Sequence, residues 1–288
     1  MRTLAVLVPA VAMVVAAGPA SADTGTRYVA LGDSYAAAPL VPVQGGQPAG
    51  CLRSDHNYPA LVAKGLGITD LHDVSCSGAM TVEMTTAQST ELGSNAPQFD
   101  ALTHDTGLVS VTIGGNDIGF AGIIQECATR SVLAPLGSAC RDFYTSGGSD
   151  QLAQRIADTA PKIAAVLHGI ADRAPDARIV VVGYPGILPD TGPGCYPVVP
   201  FSAADVAYLR STEKALNAMI EKQADDADAT FVDAYTPSIG HDACQLPGKK
   251  WIEGLIPTSP AYPVHPNSLG TAGQAAAVLA TLGTSSAA

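Results

Sequence analysis

The amino-acid sequence predicts an α/β fold, a three-layer α/β/α sandwich in which a five-stranded parallel sheet lies between two layers of helices. Short apolar runs, rich in β-branched residues, alternate with longer segments whose apolar positions recur at helical spacing. In addition, 47% of the 288 residues are hydrophobic and only 14% are charged. Such a chain buries a large core, and strand–helix alternation is typical of a parallel sheet with helices on both faces.

Five short segments have the pattern of strands. The run Arg-Ile-Val-Val-Val is continuously apolar after its first residue, as expected of a strand buried on both faces. The third run is rich in β-branched residues and ends at two glycines, whereas the second is weaker. The predicted strands are residues 27–31, 70–74, 108–113, 178–182 and 229–233. We expect them to adopt the flavodoxin-like order 2-1-3-4-5.

Longer segments with helical spacing of apolar residues lie between and after the strands. They cover residues 151–172, 203–225 and 267–282, and Asn267 or Ser268 is the expected N-cap of the last one. Two long connections remain, and both contain cysteines. Because long connections in compact domains are usually functional, we expect these two to form walls of a cleft. They are residues 119–148 and 184–201.

The N-terminus has the pattern of a signal peptide. A basic start precedes an uncharged, mostly apolar run at 4–17, and a small-x-small cleavage site ends at Ala22. The run is too short to anchor the protein in a bilayer, and no later apolar stretch reaches the length of a membrane span. We therefore predict a signal peptide over 1–22 and a single secreted domain over 23–288, without stable membrane insertion.

The chain is acidic. Its 15 basic and 26 acidic residues give a formal net charge of −11, and removal of Arg2 with the signal peptide makes this −12. Proteins that bind nucleic acid neutralise phosphates with basic residues, so this class of partner is disfavoured. Adhesion to anionic membranes through a basic face is disfavoured for the same reason. We expect a monomer in solution.

Six cysteines in a secreted chain predict three disulfides. A zinc site is the alternative, but the sequence has neither a Cys-x-x-Cys nor a His-x-x-x-His pair. Six cysteines allow 15 pairings, and the sequence alone does not choose among them. Pairing in sequential order is the simplest, because each bond would then staple one loop-rich segment. The cysteines are Cys51, Cys76, Cys127, Cys140, Cys195 and Cys244.

Polar residues and glycines follow the first three predicted strands. The first strand runs into Gly32-Asp33-Ser34, the second is followed by Gly78, and the third by Asn116. In the order 2-1-3-4-5 the first strand lies between the other two, so these tips are neighbours at one edge of the sheet. A serine hydroxyl would then lie between a backbone N–H donor and a side-chain amide donor.

Donors in this arrangement stabilise the oxyanion of an acyl-transfer reaction. His265, in the sequence His-Pro-Asn before the last predicted helix, is placed to act as the general base for Ser34. Each fragment alone is also typical of a structural turn or a helix cap. The prediction of an acyl-transfer site therefore depends on their joint occurrence.

These blocks resemble those of the SGNH, or GDSL-type, hydrolase superfamily. The six-cysteine framework is similar to that of its secreted actinobacterial lipases and esterases, and the resemblance extends over nearly the whole mature chain. It implies that Ser34 is the nucleophile and His265 the base. It also implies an oxyanion hole formed by the Ser34 N–H, the Gly78 N–H and the Asn116 side chain. The implied disulfides are Cys51–Cys76, Cys127–Cys140 and Cys195–Cys244, in agreement with sequential pairing.

The sequence departs from the family pattern just before the histidine. Many members have an aspartate three residues before it, where this chain has Tyr262, and the nearest acidic residue upstream is Glu253. Some actinobacterial relatives use a backbone carbonyl instead. We therefore expect the Tyr262 carbonyl to accept the Nδ1 proton of His265. Such an acceptor fixes the tautomer, although it stabilises the imidazolium less than a carboxylate does.

The sequence thus favours a secreted serine carboxylester hydrolase that acts on lipid-like acyl esters and needs no metal or cofactor. Phospholipase A-type hydrolysis and deacetylation of polysaccharides are alternatives with the same chemistry. Aromatic residues make up only 5% of the chain, which disfavours a carbohydrate-stacking groove. A secreted ligand-binding protein is the non-enzymatic alternative. An α/β-hydrolase is disfavoured because Ser34 lacks the Gly-x-Ser-x-Gly context.

Overall fold

The structure, a computed structural model, describes residues 26–283, and the predicted signal peptide over 1–22 lies outside them. Within the described residues, no helix is long and apolar enough to cross a membrane. The strands are β1 (Arg27–Gly32), β2 (Gln44–Gly45), β3 (Arg53–Ser54), β4 (Asp70–Asp73), β5 (Gln88–Thr90), β6 (Gly93–Asn95), β7 (Thr106–Thr112), β8 (Arg178–Val182) and β9 (Thr230–Val232). The helices are α1 (Ser34–Ala37), α2 (Tyr58–Leu66), α3 (Phe120–Leu133), α4 (Ala139–Thr145), α5 (Gln151–Arg173), α6 (Ala203–Asp226), α7 (Tyr235–Ser238) and α8 (Ser268–Thr281).

Five strands form a parallel sheet in the order β4-β1-β7-β8-β9, which confirms the predicted order 2-1-3-4-5. Ala30 of β1, the second strand in this order, pairs with Asp73 on one side and Ser110 on the other. The carboxyl ends of β4, β1 and β7 therefore meet at one edge. Two short antiparallel pairs, β2–β3 and β5–β6, lie outside this sheet. Their strands have only two or three residues, which is too few to show a hydrophobic period in the sequence.

Successive residues of the central strands face opposite sides of the sheet, and each side has its own core. Val29, Val109 and Val181 belong to one buried cluster, whereas Ala30 and Val180 belong to the other. Helices α3 to α6 contribute to the first cluster, and α2 and α8 contribute to the second. The arrangement confirms the predicted three layers.

The long predicted helices correspond to α5, α6 and α8 within one residue at each end. Asn267 is the N-cap of α8, since its Oδ1 accepts the N–H groups of Leu269 at 3.0 Å and Gly270 at 3.1 Å. The segment 119–148, which the sequence indicates only as a connection, contains α3 and α4. Apolar residues at the end of α3 are exposed, Val132 by 53% and Leu133 by 81%.

Three disulfides link segments that lie outside the parallel sheet. Their sequence separations are 25, 13 and 49 residues, in chain order. The first joins the segment before α2 to the loop after β4, and the second joins α3 to α4. The third joins the irregular segment before α6 to the segment after α7. The bonded pairs are Cys51–Cys76, Cys127–Cys140 and Cys195–Cys244.

Candidate active site

Ser34 lies where β1 ends and α1 begins, at the carboxyl edge of the sheet. Gly32 has a φ of 141°, and a Cβ there would meet the Thr112 carbonyl oxygen at 2.5 Å, so the position requires glycine. Asp33 is the N-cap of α1, and its Oδ1 accepts the Tyr35 N–H at 2.9 Å. Ser34 is the first residue of the helix and is 8% exposed.

Two buried side chains that sequence reasoning missed fix the end of β1. The Gln98 amide makes a pair of hydrogen bonds with Gly32, accepting its N–H at 2.7 Å and donating to its carbonyl at 2.9 Å. The Tyr184 hydroxyl donates to Asp33 Oδ2 at 2.6 Å and accepts the Gly115 N–H at 2.8 Å. Both partners are distant in sequence, so no local pattern could have indicated them.

The fold brings His265 onto Ser34, with 2.7 Å between His265 Nε2 and Ser34 Oγ. The histidine lies in the segment between α7 and α8. Its carbonyl accepts the Glu253 N–H at 3.0 Å, and the Tyr35 hydroxyl donates to the neighbouring Val264 carbonyl at 2.8 Å. The Tyr35 and His265 rings are 5.0 Å apart between centroids. Tyr35, the residue after Ser34, thus binds the segment that carries His265.

The expectation that the Tyr262 carbonyl orients the imidazole is wrong. His265 Nδ1 lies 2.8 Å from the carbonyl oxygen of Pro263, whereas the Tyr262 carbonyl accepts the backbone N–H of His265 at 3.2 Å. The physical reason is the left-handed backbone of Val264, whose φ is 62°. This conformation turns the chain so that the imidazole lies over the Pro263 carbonyl. The Tyr262 carbonyl accepts the His265 N–H and closes the turn.

Burial keeps the imidazole neutral. It lowers the pKa of His265 to about 4, although the hydrogen bond to the Pro263 carbonyl favours the charged form. The neutral ring then carries its proton on Nδ1 and presents the Nε2 lone pair to the Ser34 hydroxyl. Burial also raises the pKa of Asp33 to about 7, against the opposing hydrogen bonds from Tyr184 and the Tyr35 N–H.

Glu253, the nearest acidic residue upstream, supports the histidine segment rather than the ring. Its Oε1 accepts the Asn267 side-chain N–H at 2.8 Å, and its Oε2 accepts the Thr258 N–H at 2.7 Å. Burial opposes ionisation, but the hydrogen bonds from Thr258 and Asn267 outweigh it and the pKa of Glu253 lies below its usual value. The carboxylate therefore braces the loop from which the histidine projects.

Gly78 and Asn116 line the same cavity as Ser34 and His265. The Gly78 N–H makes no hydrogen bond to any residue that the structure describes. The Asn116 Nδ2 donates to the Ala79 carbonyl at 2.9 Å, and its second N–H remains available. The four residues singled out from the sequence thus meet at one edge, with two kinds of donor beside the serine.

The cavity has a volume of about 890 Å³ and two chemically different walls. Helix α3 forms the more apolar wall with Phe120, Ile124 and Ala128, and its Gln125 and Thr129 also line the cavity. The β5–β6 hairpin forms the polar wall with residues 88–92. Of the two connections expected to line a cleft, 119–148 does so through α3. Residues of 184–201 are absent from the described lining of this cavity.

The chain is similar to known lipases and esterases in sequence and in fold. Residues 30–272 match the GDSL-like Lipase/Acylhydrolase family. The chain is 43% identical over 260 residues to Lipase 2 of Streptomyces coelicolor, covering 88% of this chain and 85% of that protein. The extracellular lipase from Streptomyces rimosus superposes with a TM-score of 0.72 at 29% identity, covering 89% of this chain and 100% of that one. Phospholipase A1 from Streptomyces albidoflavus gives a TM-score of 0.73 at 26% identity, covering 89% and 99%.

Proposed function

Because the chain belongs to the GDSL-like lipase/acylhydrolase family and is a lipase or esterase, we propose that Ser34 and His265 are its catalytic dyad. The family membership agrees with the resemblance drawn from the sequence motifs and sets aside a non-enzymatic binding protein. The observation that carries the proposal is the 2.7 Å between Ser34 Oγ and His265 Nε2. This contact places a neutral base against a hydroxyl that lines an open cavity.

The reaction follows from these positions. His265 Nε2 takes the hydroxyl proton while Ser34 Oγ forms a bond to the ester carbonyl carbon. The tetrahedral intermediate collapses, and the alcohol leaves with the proton that His265 returns. Water then attacks the acyl-enzyme, again losing its proton to His265, and the acid is released with Ser34 restored. The Pro263 carbonyl holds the Nδ1 proton throughout, which keeps Nε2 facing the serine.

The oxyanion hole that we propose consists of the Ser34 N–H, the Gly78 N–H and the second N–H of Asn116. All three residues line the cavity at the serine. The Asn116 amide is fixed by its bond to the Ala79 carbonyl, so its free N–H needs little reorganisation when charge develops.

Lipid-like acyl esters are the substrate class that we propose. The apolar α3 wall runs from the dyad along Phe120, Ile124 and Ala128, and Leu255 and Val264 extend the apolar lining. Such a surface suits an alkyl chain. A phospholipid is the second candidate, because a structure of 26% identity and similar fold is described as a phospholipase A1.

Secretion is also a proposal. The cleavage pattern at Ala22 precedes the described residues, the three disulfides suit an oxidising compartment, and one solved relative is described as extracellular. We propose a secreted monomer in which residues 23–288 form a single domain.

Ser34→Ala tests the proposed nucleophile. We expect hydrolysis to fall by roughly 10⁴-fold or more, because the acyl-enzyme can no longer form. Rates are measured on p-nitrophenyl acetate, octanoate and palmitate, on acetylxylan and on phosphatidylcholine, so the wild-type series also ranks the substrate classes. Ser211→Ala, on the exposed side of α6, is the matched control.

Labelling by an organophosphonate supplies the second measurement. The wild type and the Ser211 variant gain the mass of the label, whereas Ser34→Ala does not. Hydrolysis by Ser34→Ala at near the wild-type rate would show that another group is the nucleophile. A preference for acetylxylan over the octanoate ester would refute the lipid-like substrate class.

A further inference from the structure

The loop that supplies Gly78 is a tight turn over Cys76 to Ala79. The Ala79 N–H donates to the Cys76 carbonyl at 3.0 Å, which closes a four-residue β-turn. Gly78 occupies the third position with a φ of 83°, and Ser77 before it is not among the described residues of positive φ. A negative φ followed by a positive one identifies the turn as type II.

The flanks of this turn are held by the rest of the protein. The Cys76 N–H donates to the Gly32 carbonyl at 2.9 Å, and the Ser77 N–H donates to the Cys51 carbonyl at 3.1 Å. On the other side, Asn116 donates to the Ala79 carbonyl. The central peptide between Ser77 and Gly78 is the part that these bonds leave free to rotate.

Type II and type I turns differ mainly by rotation of that central peptide through about half a turn, with little movement of the flanking residues. Glycine at the third position permits both forms, since it has no Cβ. The present form directs the Ser77 carbonyl away from the direction taken by the Gly78 N–H. The rotated form would exchange the two groups and present a carbonyl oxygen to the developing oxyanion instead of a donor.

The side chain of Gln88, on β5, binds this central peptide. Its Nε2 donates to the Ser77 carbonyl at 2.9 Å, and a Cβ on Gly78 would lie 3.7 Å from the same nitrogen. Gln88, Ser77 and Gly78 all line the cavity that contains Ser34. Since the Ser77 carbonyl and the Gly78 N–H belong to one planar peptide, fixing the first fixes the direction of the second.

The hydrogen bonding of Gln88 is unusual for a side chain that only stabilises a hairpin. Among the described residues its amide makes this single hydrogen bond, and its Oε1 is buried without a partner. An unpaired buried amide oxygen costs stability. In the turn that Gln88 binds, Gly78 has the only backbone N–H without a partner among the described residues.

We propose that Gln88 is a positioning residue that selects the type II form of the turn and so aims the Gly78 N–H at the reacting ester. The inference rests on the proposed oxyanion hole and deepens it. Gln88 does not touch the reacting atoms. It acts through the Ser77–Gly78 peptide, and its expected effect is on the rate of the chemical step rather than on substrate binding.

Gln88→Glu and Gln88→Leu test this role. At pH 8 a carboxylate at position 88 only accepts hydrogen bonds, so it repels the Ser77 carbonyl and pairs with the Gly78 N–H in the rotated form. We expect Gln88→Glu to lower kcat by about 100-fold with little change in KM, because one oxyanion donor is lost. Gln88→Leu favours neither the type II form nor the rotated form of the turn, and we expect it to lower kcat by about tenfold.

The pH dependence separates positioning from general damage. A protonated glutamate donates an O–H to the Ser77 carbonyl, as the glutamine amide does. We expect the kcat of Gln88→Glu relative to wild type to rise at least about tenfold between pH 8 and pH 5, as the carboxyl approaches its ordinary pKa. The same ratio for Gln88→Leu stays constant.

Ser94→Ala on the facing strand is the matched control. Its hydroxyl contacts the backbone carbonyl of Gln88, at 3.4 Å, but not the amide. We expect Ser94→Ala to have the kcat of the wild type. Thermal melts establish that every variant is folded. Gln88→Glu within twofold of wild type at pH 8, a ratio independent of pH, or an effect confined to KM would overturn the inference. Activity in Ser34→Ala would instead overturn the proposed dyad itself.

Discussion

His265, the proposed general base, is buried, and a backbone carbonyl orients its ring. The Pro263 carbonyl oxygen accepts a hydrogen bond from His265 Nδ1, with 2.8 Å between the two atoms. Among the described residues, no carboxylate bonds to the ring. Burial is therefore the dominant influence on the imidazole, and it lowers the pKa to about 4. The ring is oriented, but no negative charge stabilises its protonated form. It therefore remains neutral, and able to accept a proton, well into the acid range.

The pH–rate profile should reflect this environment. The neutral form is the active one, and its pKa lies below the ordinary value, so activity persists as the pH falls through 6.5. We expect kcat/KM to stay near its plateau at about pH 6 and to reach half its maximum near pH 4. Circular dichroism at each pH separates titration from acid unfolding. Burial gives Asp33, beside Ser34, a pKa of about 7, so the profile is also measured in Asp33→Asn. An acid limb centred near pH 6.5 in both proteins would contradict the effect of burial on His265.

At the residue scale, local motifs sufficed to predict that Ser34, Gly78, Asn116 and His265 lie close together, and all four line one cavity. They did not suffice for the acceptor of the Nδ1 proton. Choosing between the carbonyls of Tyr262 and Pro263 required the left-handed backbone of the next residue, Val264. A β-branched residue rarely adopts that conformation, so no sequence rule predicts it.

Helix α3 is the element that most clearly joins structure to substrate choice. Phe120, Ile124 and Ala128 are spaced by four residues and so lie on one face of the helix, which lines the cavity. From the first to the last the helix rises about 12 Å, since each residue adds about 1.5 Å. The far end of this wall is occupied by a small side chain, which leaves room for the end of a long acyl chain.

Filling that end should shorten the preferred substrate. We expect Ala128→Phe to lower kcat/KM for the palmitate ester by roughly tenfold relative to the acetate ester, because the ring blocks the distal part of the wall. Leu133→Phe, on the opposite and exposed face of the same helix, is the control. An unchanged palmitate-to-acetate ratio in Ala128→Phe would show that the acyl chain lies elsewhere.

The longest helices were the most predictable elements, whereas of the two 14-residue helices the sequence located α8 and missed α3. Helices α5 and α6 have 23 and 24 residues, and the sequence located both. The β5–β6 hairpin has three residues a strand, and its function depends on a contact between Gln88 and a loop 11 residues away. Short segments have no measurable period, so their structure follows from tertiary contacts.

On the scale of the whole molecule, the sheet separates two cores and the disulfides hold the loops around it. The bond Cys195–Cys244 closes 49 residues, whereas Cys127–Cys140 closes 13. In the chain-entropy view a disulfide stabilises a protein by restricting the unfolded chain, and the effect grows slowly with the length that it closes. The longer bond therefore contributes more, although it lies outside the described lining of the active-site cavity.

Paired cysteine-to-alanine variants measure this contribution. We expect removal of Cys195–Cys244 to lower the free energy of unfolding by about 4 kcal/mol, and removal of Cys127–Cys140 by about 3 kcal/mol. Urea unfolding followed by fluorescence gives both values. The variant lacking Cys195–Cys244 should retain the wild-type kcat while folded. A larger loss for the 13-residue bond than for the 49-residue bond would mean that native contacts, rather than loop length, set the order.

The segment after β7 carries Asn116 and continues without interruption into α3. Hydrogen bonds from the Gly119 N–H to the Asn116 carbonyl at 3.0 Å and from the Phe120 N–H to the Gly115 carbonyl at 3.1 Å tie the amide to the first turn of the helix. The wall that we propose for the tail of a substrate is thus rigidly connected to the amide that we propose stabilises its carbonyl. Methylene groups remote from the ester can therefore contribute to the speed of the reaction as well as to the strength of binding.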